Sequence, residues 1–142
     1  MPIRIVLDRI GAPEVLHAIP ALREQPGTGQ VWLEHESIGV NYLDVTQRNG
    51  AVPIDLPSAL GLEATGRVAV VGDGVSEVGP GLTAHISDVS DYRERTADLF
   101  DAIARRVVTP SIWRTYPLAD VAAAHRALED GSSHGAIVLD PQ

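Results

Sequence analysis

Cysteine is absent, which excludes a disulfide framework, a thiolate nucleophile and any cysteine-built metal site. Aromatic residues make up only 4% of the chain, so there is little material for the stacking platforms that hold single-stranded nucleic acid. Positive charge is scarce too. The 11 basic residues are arginines scattered among 19 acids, for a formal net charge of −8. Nucleic-acid binding depends on Lys and Arg neutralising phosphates, and this balance argues against it. No apolar run approaches the ~20 residues that a membrane span needs. Met1 to Asp8 lacks the basic-then-apolar layout of a signal peptide. What these absences leave is an ordinary globular chain, 44% hydrophobic and 21% charged, expected to be soluble and cytoplasmic. Its 142 residues fit one domain of the usual ~100–200.

The chain changes period along its length. Up to Gly81 it reads as short strands and turns, punctuated by many of its ten prolines and thirteen glycines. Arg4-Ile5-Val6-Leu7 and Val15 to Ile19 flank a turn at Gly11-Ala12-Pro13, the pattern of a near-hairpin. Gln30 to Val40 is strand-like, and Thr65 to Val71 forms another strand that closes on Gly72-Asp73-Gly74. One helix interrupts them over Tyr42 to Asn49, with Asn41 as cap, Asp44 three residues on in the capping-box position and Gly50 as its end. The remainder is helical in period. Asp91 and Glu94 form a capping pair for a helix whose one face carries Tyr92, Leu99, Phe100, Ile103 and Val107, with Asp101 and Arg105 paired at four residues' separation. A strand at Ile112 to Tyr116 follows. Pro117 then opens a helix with Leu118, Val121, Ala122, His125 and Leu128 inward and Gly131 as its stop. Ile137-Val138-Leu139 is a last strand. The change of period near Gly79-Pro80-Gly81 marks a junction.

Several motifs carry less than they suggest. Gly72, Gly74, Gly79 and Gly81 do not have dinucleotide spacing, and no helix opens after the first of them. Gly131-Ser132-Ser133-His134-Gly135 matches G-x-S-x-G in letters only, because a helix precedes it and a strand follows, the reverse of a nucleophile elbow. The histidines (His17, His35, His85, His125, His134) show no metal-ligand pairing. His125, on an apolar helix face, reads as a hydrogen-bonded structural residue. From the residues alone Asn41, Asp44 and Arg48 are a cap and a semi-buried or surface pair along one side of a short helix.

Longer stretches resemble a known family. Gly11-Ala12-Pro13-Glu14-Val15-Leu16, Gly39-Val40-Asn41-Tyr42-Leu43-Asp44, Arg48-Asn49-Gly50 and Gly61 to Val68 occur in the order of the medium-chain dehydrogenase/reductases. The likeness is nearest to the zinc-free NADPH:quinone oxidoreductases, the zeta-crystallin-like enzymes. It resumes at Asp98-Leu99-Phe100, Tyr116 to Asp120, Ala124-His125-Arg126 and Gly135 to Leu139, which look like that family's C-terminal end. The resemblance implies a mainly β fold with helices (α+β): a GroES-like, partly open β-barrel with C-terminal helices packed on it. It implies a single substrate domain over 1–142, built from a segment 1–81 and a segment 82–142. They join where the family carries its Rossmann nucleotide-binding domain, as after an engineered or a natural deletion.

The same resemblance implies where chemistry would lie. Asn41 would stand near the nicotinamide, with Asp44, Thr46, Arg48, Val52 and Glu63 around the substrate pocket, Glu63 in a structural part. Tyrosines are frequent in the family where Thr46 and Val52 stand, so the pocket lacks aromatic walls. A cysteine at the Asn41 position and a histidine at the Leu62 position mark the zinc-dependent branch, and neither is present, so no zinc is expected. No residue is singled out as catalytic. Without a dinucleotide fold little is left to bind NADPH, and positioning of donor and acceptor is worth up to roughly 7–11 kcal/mol. The expectations are therefore no tightly bound cofactor, no NADPH-dependent quinone reduction by this chain alone, room for a small quinone or enone, and homo-oligomers paired through strand edges exposed by the missing barrel strands.

Overall fold

The computed structural model describes residues 1–76 and 89–141, and contacts divide them into two units. The first comprises Met1–Val75 with Ile112–Gln142, the second Ser76–Ser111. Both ends of the chain thus contribute to the larger unit. The junction expected at Gly79-Pro80-Gly81 lies outside the described residues.

The larger unit begins with a two-stranded sheet. β1 (Ile3–Val6) and β2 (His17–Pro20) run antiparallel, with Ile3 opposite Pro20 and Val6 opposite His17. Pro13 starts a 3-10 turn between them, Pro13–Val15, at a position where its missing N–H leaves nothing unpaired. This is the near-hairpin that the sequence indicates.

The second sheet is organised by β3 (Val31–Val40). β4 (Ala64–Val71) pairs antiparallel with it from Val31↔Val71 to Ile38↔Ala64, with irregularities at Trp32/Leu33 and His35/Ser37. Gly66 lies in that irregular stretch, where a Cβ would stand 2.1 Å from the Glu34 carbonyl oxygen. Only glycine lets the two backbones approach this closely. Past the bulge the other side of β3 takes over. β6 (Ala136–Asp140) pairs antiparallel with it through Ile38↔Leu139, Gly39↔Val138 and Val40↔Ile137.

The last strand to be placed is β5 (Ile112–Pro117), which runs parallel to β6, giving the order β4-β3-β6-β5. Parallel neighbours need a crossover, supplied by a 3-10 turn at Leu118–Asp120 and helix α3 (Val121–Glu129). Gly131, at φ 71, follows the helix end as expected. On α3 Val121, Ala124, His125 and Ala127 are buried, while Ala122 and Leu128 are half-buried. With Leu7, Leu16, Leu118, Ile137 and Leu139 the apolar members of this face form the core. On β6, Ile137 and Leu139 point inward while Ala136 and Asp140 are exposed, the alternation of a strand with one buried face.

The architecture is a mixed one of sheets and three helices, with no closed barrel among the described residues. Of the C-terminal helices, α3 packs on the sheets. The smaller unit holds α2 (Val89–Ala104), which starts before the expected cap, so Asp91 sits inside the helix. Arg106, at φ 58, follows its end and leaves Val107 outside. Leu99 and Phe100 are exposed. The expected Asp101–Arg105 ion pair is present at 2.6 Å. No helix among the described residues is long and apolar enough to cross a membrane.

Candidate functional site

Helix α1 (Tyr42–Asn49) follows β3 directly and positions most of the residues singled out from the sequence. Asn41 is its extended N-cap, and the Asp44 carboxylate accepts a hydrogen bond from the Asn41 backbone N–H at 2.8 Å. Gly50 ends the helix at φ 87, where a left-handed residue is needed. The bounds and both caps match the sequence reading.

Asp44 is 2% exposed, and its Oδ1 has no hydrogen-bond partner. Burial pushes its carboxyl above the ordinary range, against the backbone N–H groups of Asn41 and Gly61, and the nearby Glu63 charge pushes it the same way. The Gly61 amide influences the carboxylate without an aligned bond to Oδ1. Glu63 is exposed and folded over Gly39, where a Cβ would collide with its carboxylate, and Gly39 N–H bonds to the Glu63 carbonyl at 3.1 Å. Asn41, Asp44 and Glu63 are therefore drawn together at one end of α1.

Arg48 goes elsewhere. It is fully buried. Nε donates to His125 Nδ1 at 3.3 Å, Nη1 donates to the Gly11 carbonyl, and Nη2 lies 2.5 Å from Glu129 Oε1 in an ion pair not aligned as a hydrogen bond. The Gly11 N–H returns a bond to the Arg48 carbonyl at 2.9 Å. Arg48 thus clamps α1 to α3 and to the turn after β1. His125 accepts through Nδ1, which leaves the ring proton on Nε2. Desolvation, with the Arg48 charge beside it, lowers its pKa to about 4, so the ring is neutral at ordinary pH. The sequence reading of His125 as a hydrogen-bonded structural residue holds. Glu129 as the counter-charge was not foreseen: a buried arginine demands an acid, but which acid is set by the fold.

Thr46 and Val52 are linked by backbone, Val52 N–H to the Thr46 carbonyl at 2.9 Å. The Thr46 hydroxyl is turned back onto the Leu43 carbonyl at 2.9 Å, and Val52 is exposed. Neither is brought against Asp44 by any described contact.

A cavity of about 810 Å³ opens beside α1. Ile5, Trp32, Ile38, Leu60 and Leu139 are among its apolar walls, and Asp44 and His125 among its polar ones. Of the residues expected around the substrate, Asp44 alone lines it. Nothing in the sequence pattern announced it, because its walls come from both chain ends.

The fold is that of the medium-chain dehydrogenase/reductases. A mycobacterial quinone oxidoreductase structure superposes with a TM-score of 0.80 at 16% identity, the match covering 99% of this chain and 100% of that one. The family model described as zinc-binding dehydrogenase matches residues 4–139. The quinone oxidoreductase of Salmonella typhimurium is 37% identical over 104 residues, which is 72% of this chain and 30% of that protein. The Escherichia coli quinone oxidoreductase, solved in complex with NADPH, is 39% identical with a TM-score of 0.52, over 56% of this chain and 24% of that one. The chain belongs to the zinc-binding dehydrogenase family, on its quinone oxidoreductase branch. It spans under a third of the length of these sequence relatives.

The residues fit the family's cofactors poorly. Among the described residues no three His, Cys, Asp or Glu side chains gather to hold a metal ion, and Asn41 and Leu62 offer no thiolate or imidazole. The β5–α3–β6 crossover is a parallel strand–helix–strand unit, yet its first turn, Tyr116-Pro117-Leu118-Ala119-Asp120, contains no glycine. A dinucleotide pyrophosphate needs a glycine-rich turn that lets backbone N–H groups come close.

Proposed function

We propose that this chain is the substrate-side domain of an NADPH:quinone oxidoreductase-like protein, and that its nucleotide-binding half is not among these residues. One observation carries this reading. The N-terminal family segment, through β3, and the C-terminal segment, through β6, meet in one sheet next to α1, while the β5–α3–β6 crossover of the C-terminal segment has no glycine-rich turn suited to a pyrophosphate.

In this reading Asn41 stands near the nicotinamide, with Asp44 and Glu63 beside it at the polar end of the site. Arg48 supports the site from below through α3. The substrate is a small quinone or enone, no zinc takes part, and the setting is cytoplasmic. Alone, the chain lacks the groups that would align a hydride donor with its acceptor, an effect worth up to roughly 7–11 kcal/mol.

The test is NADPH titration by calorimetry together with NADPH oxidation in the presence of 1,4-benzoquinone or menadione. Neither saturable binding into the millimolar range nor turnover above a buffer control is expected. Micromolar binding, or quinone-dependent turnover, would overturn the reading.

A further inference from the structure

Arg48 uses one nitrogen of the His125 ring and leaves the other. Nδ1 accepts from Arg48 Nε at 3.3 Å, and a guanidinium can only donate, so the ring proton sits on Nε2. Among the described residues no acceptor takes that proton, the bond to Arg48 being the one the ring makes. Yet Nε2 is not sealed away. The buried polar side-chain atoms shut off without a partner are Asp44 Oδ1 and Arg48 Nη2. Nε2 also lacks a partner and is not one of them, so it keeps some open surface. His125 is 2% exposed and lines the cavity beside α1 with Val121, one turn earlier on α3. The little surface it has is therefore turned to the cavity. Desolvation, with the Arg48 charge beside it, lowers its pKa to about 4, so what it presents there at ordinary pH is a neutral N–H. A buried donor left without an acceptor is costly.

The rest of the lining selects the acceptor. Ile5, Trp32, Ile38, Leu60, Val121 and Leu139 are among the apolar walls, and the acids Asp44, Glu24 and Glu34 outnumber the one arginine, Arg4. A carboxylate ligand would meet like charge there. A carbonyl oxygen accepts a hydrogen bond, carries no net charge and brings no donor that needs a partner of its own. At about 810 Å³ the space falls within the roughly 300–1,000 Å³ range of small-molecule sites. We propose that the cavity binds a compact apolar carbonyl compound, its oxygen held by His125 Nε2–H and its hydrocarbon body against the apolar walls. The choice of a carbonyl compound rests on the reading of this chain as the substrate side of a quinone oxidoreductase-like protein. What the proposal adds is the residue that fixes the carbonyl, supplied by α3 and not by α1.

The probes are 1-indanone and indane, bicyclic bodies of nearly the same shape that differ in one carbonyl oxygen. Both are titrated without NADPH into the isotope-labelled full chain and followed by NMR. 1-Indanone is expected to bind saturably with a submillimolar Kd and to move the His125 Nε2–H proton downfield, which indane is not expected to do. His125→Asn keeps an acceptor for Arg48 Nε at the Nδ1 position and removes the Nε2 donor. In that variant, with its amide spectrum still that of a folded chain, the affinity for indanone relative to indane should fall at least about threefold, as the loss of one hydrogen bond does. No saturable indanone binding at millimolar concentration would overturn the proposal. So would binding that leaves the Nε2–H proton unmoved, a result that needs no variant, or an unchanged affinity ratio in folded His125→Asn. With no NADPH present, each of these results is independent of the reading above, whose failure shows instead as NADPH binding or turnover.

Discussion

Arg48 places its whole guanidinium inside the protein, against a ring, a carbonyl and a carboxylate. Removing one partner of such a buried pair strands the others, which typically costs about 3–5 kcal/mol. Arg48→Ala is expected to fall in that range in urea denaturation. Glu129→Gln should cost less, because the Glu129 side chain is 32% exposed and water can reach it. His125 adds a pH dependence of definite sign. Its pKa is lowered from 6.5 to about 4 in the folded protein, so folding favours the neutral ring. The associated stability is complete above about pH 6.5 and is lost as pH falls toward about 4, on the order of 3 kcal/mol in all. Asp44 acts in the opposite sense. Its folded carboxyl lies above the ordinary range, chiefly through burial, so its contribution is present at low pH and is lost as pH rises through its folded value. The thermal midpoint measured from pH 7 to pH 4 should fall in the unaltered protein and fall less steeply in His125→Gln.

At the level of elements, local signals were readable and pairings were not. Helix α1 came out with its cap, its end and its bounds, because Asn41, Asp44 and Gly50 act on backbone groups within a turn of themselves. Strands β3 and β4 were legible from their apolar runs, and β5, α3 and β6 from the change of period. That β6 joins β3 rather than β4, and that β5 runs parallel to it, depends on contacts far apart in sequence. Helix α2 misled in one respect, since Asp91 and Glu94 have capping spacing yet the helix begins earlier. In the candidate site the same division holds. Asn41 with Asp44 was visible, while the Arg48–Glu129 pair and the cavity were not. Two predictions belong here. Gly66→Ala forces a Cβ into the Glu34 carbonyl and should cost about 1–3 kcal/mol in denaturant unfolding, as overpacking does. β4 ends its sheet and has one neighbour among the described residues, with Val68 exposed on it. Unpaired edges invite pairing between chains. Light scattering at micromolar concentration is expected to show a dimer or larger species, and Val68→Lys to shift it toward monomer.

On the scale of the whole molecule, the larger unit is a composite of two distant stretches, and its core draws on both: Leu7 and Leu16 from one, Ala124, Ile137 and Leu139 from the other. Ile137 is 2% exposed at the centre of this union. Ile137→Ala should cost about 2–5 kcal/mol, the usual range for emptying a large core site, measured as a loss of unfolding free energy in urea.

Ile38 is the residue at which β3 changes company, opposite both Ala64 of β4 and Leu139 of β6. The first partner is under thirty positions along the chain, the second about a hundred. Closing the longer loop carries the larger entropic barrier, so the β3–β4 ribbon should assemble early and the tail should arrive late. Until it does, Arg48 has neither His125 nor Glu129 beside it. The order of events in time thus makes the floor of the site the last thing the chain completes.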